Sequence, residues 1–248
     1  MAELRLFTPS NFPMIAPGDD LAALIVDALD EPLADGDVVV LAQKIVSKAE
    51  DRLVQLAGIT PSPRAIELAK AGDKDPRVVE LMLAEAEEVM RVRPGVIIVR
   101  HRLGLVLANA GIDQSNVEDE ASVLLLPADP DASCAALRAA ILERTGAQVA
   151  VLIIDSLGRA WRGGTIGTAI GAAGMAGLLD LRGEPDLFGR PLKTSELGLA
   201  DEAASAASLL MGQAGEGRPV VVIRGLSLSR TNGNAAELVR PRALDLFP

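Results

Sequence analysis

At 248 residues, about half of them apolar and 23% charged, the chain has enough core-forming surface for one large domain or two small, closely packed ones, and bulk disorder is excluded. Its 24 Lys and Arg against 34 Asp and Glu leave a net charge of −10, with the basic residues dispersed and unaccompanied by aromatic platforms, so nucleic-acid binding is excluded. The single cysteine, Cys134, rules out an internal disulfide and any multi-cysteine metal site. The start, MAELRLFTPSNF, lacks the basic and apolar segments of a signal peptide, and no apolar run approaches a membrane span. A soluble cytoplasmic protein is expected, with neither nucleic acid nor membrane as partner. Four Phe, one Trp and no Tyr leave the core to Leu, Val, Ile and Ala.

In chain order, ELRLF reads as a strand and is followed by a loop holding Pro9, Pro13 and Pro17. Asp19 or Asp20 caps the helix DDLAALIVDAL, whose apolar residues recur at helical spacing. DGDVVVLAQKIVSKAED gives a turn, a buried strand VVVLA and a polar segment carrying Lys44 and Lys48. Residues 61–90 read as helical and charged, and GVIIVR with GLVLANAGID as a strand pair turning near Arg102-Leu103-Gly104. VLLLPADP is another strand, DPDASCAALRAAILERTG an amphipathic helix closed by Gly146, and QVAVLIID a buried strand. A glycine-rich region runs from there to about residue 177, then a polar loop with two short extended pieces. LADEAASAASLLMGQAGEG is an Ala-rich helix and RPVVVIRGL a closing strand. This is an α/β chain of mixed, α+β-like order, without the steady alternation of a doubly wound sheet and without a long linker or repeat.

Two acids stand at apparent strand ends: Asp113 in VLANAGIDQSNVE and Asp155 in VAVLIIDSLGRAW. Such carboxylates pay a desolvation penalty unless a cation or several donors meet them. Either they converge on one divalent ion, or each caps a turn or helix start. GRAWRGGT puts Gly164 where a P-loop needs its lysine, and GAAGMAG lacks G-x-G-x-x-G, so both nucleotide-loop readings fail. Backbone cradling of an anion with Arg159 and Arg162 as clamps remains, beside plain close packing. Lys44 and Lys48 would share a helix face, solvated or turned to phosphates. His101 reads as a surface or turn histidine, Cys134 as a small core or near-surface residue, and Trp161 as core packing or a lid over a planar ligand.

Taken together, these segments resemble the coenzyme F420-0:L-glutamate ligases over nearly the whole chain. The likeness rests on FPMIAPGDDL, DGDVVVLAQKIVSKAED, RLGLVLANAGIDQSNV, DSLGRAWRGG, DLRGEPDLFGRPLKTSELGLADEAASAASLLMGQ and PVVVIRG, in that order. The resemblance implies a GTP-dependent amide ligase that joins L-glutamate to the lactyl-phosphate carboxylate of the deazaflavin F420-0. Further γ-linked glutamates, an acyl-phosphate intermediate and release of GDP and phosphate are expected from the same resemblance. It also implies two magnesium or manganese ions, a monovalent cation, a homodimer, and the family's fold of mixed sheets with packed helices over residues 1–248. Carried over by position, it implies metal roles for Asp113, Asp155 and Ser156; many relatives have Thr at the last position, and the hydroxyl is kept. It implies GTP contacts for Phe12, Pro13, Met14, Ile15, Gln43, Lys48 and Asn116, and places Gln213 near metal and phosphates. Lys48 would act as a fixed cation, and Arg159 and Arg162 would hold the acidic acceptor or the incoming glutamate. The two-domain bacterial relatives add a C-terminal reductase domain, and a stand-alone ligase is expected here. Two other readings use fewer of these residues: a noncatalytic GTP- or phosphate-binding module, and a structural oligomer subunit packed through GAAGMAG.

Overall fold

The computed structural model describes residues 3–115, 119, 121–226 and 232–245. Strand β1 (Arg5–Phe7) leads through the proline-bearing loop to helix α1 (Leu21–Ala28), which Asp20 caps by accepting the Ala23 N–H at 3.0 Å. β2 (Val38–Ala42) then passes without a loop into α2 (Gln43–Ala49), the polar segment of the two lysines. β3 (Leu53–Gln55) follows, then α3 (Pro63–Gly72) and α4 (Pro76–Glu85), each opened by a proline behind a capping Ser62 or Asp75.

Here the structure corrects the helical reading of residues 61–90. α4 stops at Glu85, and β4 (Ala86–Arg93) pairs antiparallel with β5 (Val96–His101), which pairs in turn with β6 (Val106–Ala108). Val89 and Val92 of this Glu-rich run pack into the same core as Ile97 and Val99, and that tertiary contact overrides its local helix propensity. β7 (Ser122–Leu124) pairs with β3, and α5 (Pro130–Thr145) ends, as its sequence predicts, on Gly146 in the left-handed region (φ 74°). The remaining elements are β8 (Ala150–Arg159), β9 (Arg162–Ala173), the short paired strands β10 (Leu179–Asp180) and β11 (Glu196–Leu197), α6 (Leu199–Met211) and β12 (Val220–Arg224).

The five-stranded sheet runs β1-β12-β2-β8-β9, and only β2 and β8 are parallel. Both faces are buried, which is why its strands are continuous apolar runs. Val39, Leu41, Val151 and Ile153 meet α1, α2 and α5, whereas Val38, Val40, Leu152 and Ile154 meet α6. The mixed α and β architecture read from the sequence is present, and among the described residues no helix is long and apolar enough to cross a membrane.

The glycine-rich region is not a loop. β8 continues past Asp155 to Arg159, turns at Ala160-Trp161, and returns as β9. A Cβ on Gly167 would stand 2.5 Å from Ala204 O, and one on Gly171 would stand 2.5 Å from Pro130 O. These glycines let helices approach both faces of the hairpin, which is the close-packing alternative. Carboxylates from the helix N-termini then satisfy the outer edge of β9: Asp201 accepts the Ala169 N–H at 2.9 Å and Asp131 the Ala172 N–H at 2.7 Å.

His101 is fully buried, not at the surface. Its Nδ1 accepts the Leu103 N–H at 3.1 Å, which leaves the proton on Nε2, 3.3 Å from Glu85 Oε2. Glu85 also meets Arg52 at 2.9 Å and Arg102 at 3.0 Å, and those arginines donate to Leu126 O and Ala128 O. This knot ties the α4–β4 junction to the chain entering α5. Burial alone would raise the Glu85 carboxyl, but His101, Arg52 and Arg102 together bring it down to about 2. Cys134 is buried in the core, where desolvation raises its thiol well above the ordinary value.

Candidate active site

β2 ends at Ala42 opposite Ile154, so β8 outruns its parallel partner from Asp155 onward. The carboxyl end of a parallel strand pair is where open α/β sheets bind ligands. A cleft of about 760 Å³ opens there, within the range of small-molecule sites. Asp155 therefore sits in mid-strand rather than at a strand end. It does leave the parallel pairing at that point, and this exposes its flank to the cleft.

Asp113 arrives from the opposite wall. After β6 the backbone enters the left-handed region at Asn109, Ala110 and Gly111 in succession (φ 54°, 54° and 66°). Two of these are non-glycine residues, a costly arrangement of about 1–3 kcal/mol each. It is held by Asn109 Oδ1, which accepts the Ile97 N–H at 3.1 Å, and by burial of Ala110. Asp113 is then clamped by its backbone to Leu124 of β7 through bonds of 3.0 and 2.8 Å, with its side chain among the residues lining the cleft.

Asp113 Oδ2 pairs with Lys44 Nζ at 2.7 Å, and Lys44 also donates to Ser115 Oγ at 2.6 Å. The Ser115 N–H donates to Asp113 Oδ1 at 2.6 Å. Burial pushes the Asp113 carboxyl up, but Lys44 and Ser115 outweigh it and hold it below the ordinary range. For Asp155, burial dominates. Reinforced by the charge of Asp113, it lifts the carboxyl above its ordinary value against the Ser156 N–H and Lys44. On the remaining wall, Ser156 Oγ donates to Gln213 Oε1 at 2.7 Å, and Gln213 Nε2 to Ser208 Oγ at 2.9 Å.

Of the residues singled out from the sequence, Phe12, Pro13, Met14, Ile15, Gln43, Lys48, Asp113, Asp155, Ser156 and Gln213 all line this one cleft. Ile15 is seated in the core and Phe12 packs beside it, while Met14 stands exposed at the rim. Gln43 is buried and accepts the Ser47 hydroxyl at 2.8 Å, and its Nε2 has no partner among the described residues, so the amide has a donor left for a ligand. Asn116 lies outside the described residues. Arg159 and Arg162 face each other at the hairpin tip and are not among the lining residues. Trp161, between them, is 88% exposed with φ 64°, so it is not a core residue.

Ser208 and Arg218 belong to the cleft and have no site role in the sequence reading, whereas Lys44 enters that reading only as one of two lysines on a face either solvated or turned to phosphates. The structure puts Lys44 in the cleft with Lys48, so the phosphate-facing alternative, not the solvated one, describes its place. Arg218 follows a plain loop and carries no signal in the sequence. The donors Asp113, Asp155, Ser156 and Gln213 are all oxygen, which fits a hard divalent cation. Among the described residues they form no cluster of three or more His, Cys, Asp or Glu. A metal here would thus rest on two carboxylates, with hydroxyl, amide and substrate or water oxygens completing the shell.

This is an α/β protein with a cleft, lined by apolar residues and a few charged and polar groups, at the carboxyl ends of two parallel strands. The chain belongs to the F420-0:gamma-glutamyl ligase family, whose model matches residues 10–225. It is 45% identical over 249 residues to the coenzyme F420:L-glutamate ligase of Methanothermobacter thermautotrophicus, covering 98% of each chain. The enzyme of that name from Methanopyrus kandleri is 48% identical over 237 residues, covering 94% of this chain and 93% of its own. That from Methanocaldococcus jannaschii is 45% identical over 216 residues, covering 87% and 86%.

Proposed function

We propose that the protein is a GTP- and divalent-metal-dependent amide ligase that adds L-glutamate to F420-0 and then extends the tail through γ-linked glutamates. The observation that carries this reading is the convergence of Asp113, Asp155, Ser156 and Gln213 on the cleft that Phe12–Ile15, Gln43 and Lys48 also line. The family's description supports F420-0 as the acceptor, and the relatives' shared name supports L-glutamate as the amino acid.

Asp113, Asp155, Ser156 Oγ and Gln213 Oε1 would hold magnesium or manganese. When bound, the metal offsets the triphosphate charge and stabilises the oxygens of an in-line transfer. Lys48 adds a fixed cation from α2. Phe12 and Ile15 offer apolar contact to the base, and the unpartnered Gln43 amide a directional donor. A carboxylate oxygen of the acceptor attacks the γ-phosphorus, and the bond to the β–γ bridging oxygen breaks, giving GDP and an acyl phosphate. The glutamate amine then attacks the acyl carbon: the C–N bond forms, phosphate leaves with the C–O electrons, and the amine loses a proton. Holding the three substrates together supplies much of the acceleration, since a termolecular encounter becomes a local one. Arg159 and Arg162 are assigned to the outer, acidic part of the acceptor or the glutamate, beyond the cleft lining. The active species is a homodimer in the cytoplasm.

Omission of single substrates tests this. GDP release over many turnovers should require metal, F420-0 and glutamate together. GTP that binds with no turnover under any combination would instead establish the noncatalytic binding module.

A further inference from the structure

Lys44 is the cation nearest the two cleft carboxylates, and the reaction above gives it no role. Its Nζ lies 2.7 Å from Asp113 Oδ2 and 2.6 Å from Ser115 Oγ, with the side chain only partly exposed. Asp155, on the other side, feels both the Asp113 charge and that of Lys44. The ammonium is therefore bound to the same carboxylate that a divalent cation would use. A magnesium ion sits about 2.0–2.1 Å from a ligating oxygen. With the ammonium 2.7 Å from Oδ2, both cannot share that oxygen's approach without severe repulsion.

We infer that Lys44 is a positioning residue that competes with the divalent cation for Asp113, so that metal enters only by displacing a built-in counter-ion. The inference rests on the metal reading of the cleft given above. While the ammonium is in place it neutralises Asp113 and fixes its rotamer through the Lys44–Ser115–Asp113 triangle. This spares the site an uncompensated carboxylate pair. It also lowers affinity for bare metal. An incoming ion that brings its own anion relieves the competition, because the displaced ammonium then has negative charge beside it. Occupancy of the cleft by metal is in this way tied to arrival of an anionic ligand.

The sign of one measurement separates this from a merely structural role. Mn²⁺ binding is followed by the electron paramagnetic resonance of the free ion, without nucleotide, in wild type and in Lys44→Met, Lys44→Arg and Asp155→Asn. Thermal melts check folding. Lys44→Met should bind Mn²⁺ more tightly, by on the order of tenfold, as expected from removing a neighbouring positive charge, and Lys44→Arg should stay near wild type. A purely structural lysine would give the opposite, weaker binding as Asp113 loses its support. Unchanged or weaker binding in Lys44→Met, with binding still lost in Asp155→Asn, overturns this inference alone. Binding that ignores Asp155→Asn, or no binding in any folded variant, removes the metal from the cleft and overturns both readings.

Discussion

Replacing Glu85 with Gln removes the charge at the centre of the knot that joins α4–β4 to the chain before α5. The carboxylate is 12% exposed and contacts Arg52, Arg102 and His101. Its fall from the ordinary 4.5 to about 2 corresponds to about 3 kcal/mol of folded-state preference for the ionised form. Because the folded value is depressed, that stability is fully present above pH 4.5 and is lost as the pH falls towards 2. Glu85→Gln should therefore lose about 3 kcal/mol at pH 7, or roughly 6–12 °C in melting temperature for a chain of this size. Urea unfolding between pH 7 and pH 3 measures both quantities. Wild type should weaken below pH 4.5 more steeply than the variant, whose residue 85 no longer titrates. A variant within about 0.5 kcal/mol of wild type at pH 7, with the same acid slope, would refute the assignment of this knot as a stabilising element.

Asp155→Asn separates stability from function. Burial raises the Asp155 carboxyl, so its stability cost appears as the pH rises from the ordinary carboxyl value to the raised one. At pH 7 the metal-free Asn variant should melt higher than wild type and yet lose more than the ~100-fold turnover typical of a missing outer-shell partner of a metal; a lower melting temperature would contradict the burial argument. Gly167→Ala places a Cβ 2.5 Å from the backbone of α6 at Ala204 and should cost about 1–3 kcal/mol in urea unfolding. An unchanged midpoint would mean that α6 moves away without penalty.

The buried runs VVVLA and PVVVI and the helix closed by Gly146 follow from local chemistry, and the structure has them where the sequence places them; of the two candidate caps Asp19 and Asp20, it uses Asp20. β4 was not readable because its Glu-rich sequence is compatible with a helix, and only packing against β5 decides the matter. Composition likewise marks Gly167 and Gly171 as special without saying whether an anion or a helix backbone comes close. The helices supply that answer. His101 misled for a related reason: flanked by Arg100 and Arg102 it looks solvent-facing, but β5 alternates and its inward positions include residue 101. Asp113 and Asp155 stand out in the sequence as acids at apparent strand ends, and Lys44 and Lys48 by their spacing; the other predicted cleft residues rest on family likeness. The register that lets β8 outrun β2, and the left-handed turn that swings Asp113 towards it, exist only in three dimensions.

The most direct test of the ligase reading is mass spectrometry of F420-0 after incubation with the purified protein, L-glutamate, GTP and Mg²⁺ or Mn²⁺. The account predicts mass gains in whole glutamyl increments that vanish when GTP or metal is withheld. An unmodified deazaflavin with both metals, under conditions where a relative elongates it, would contradict it.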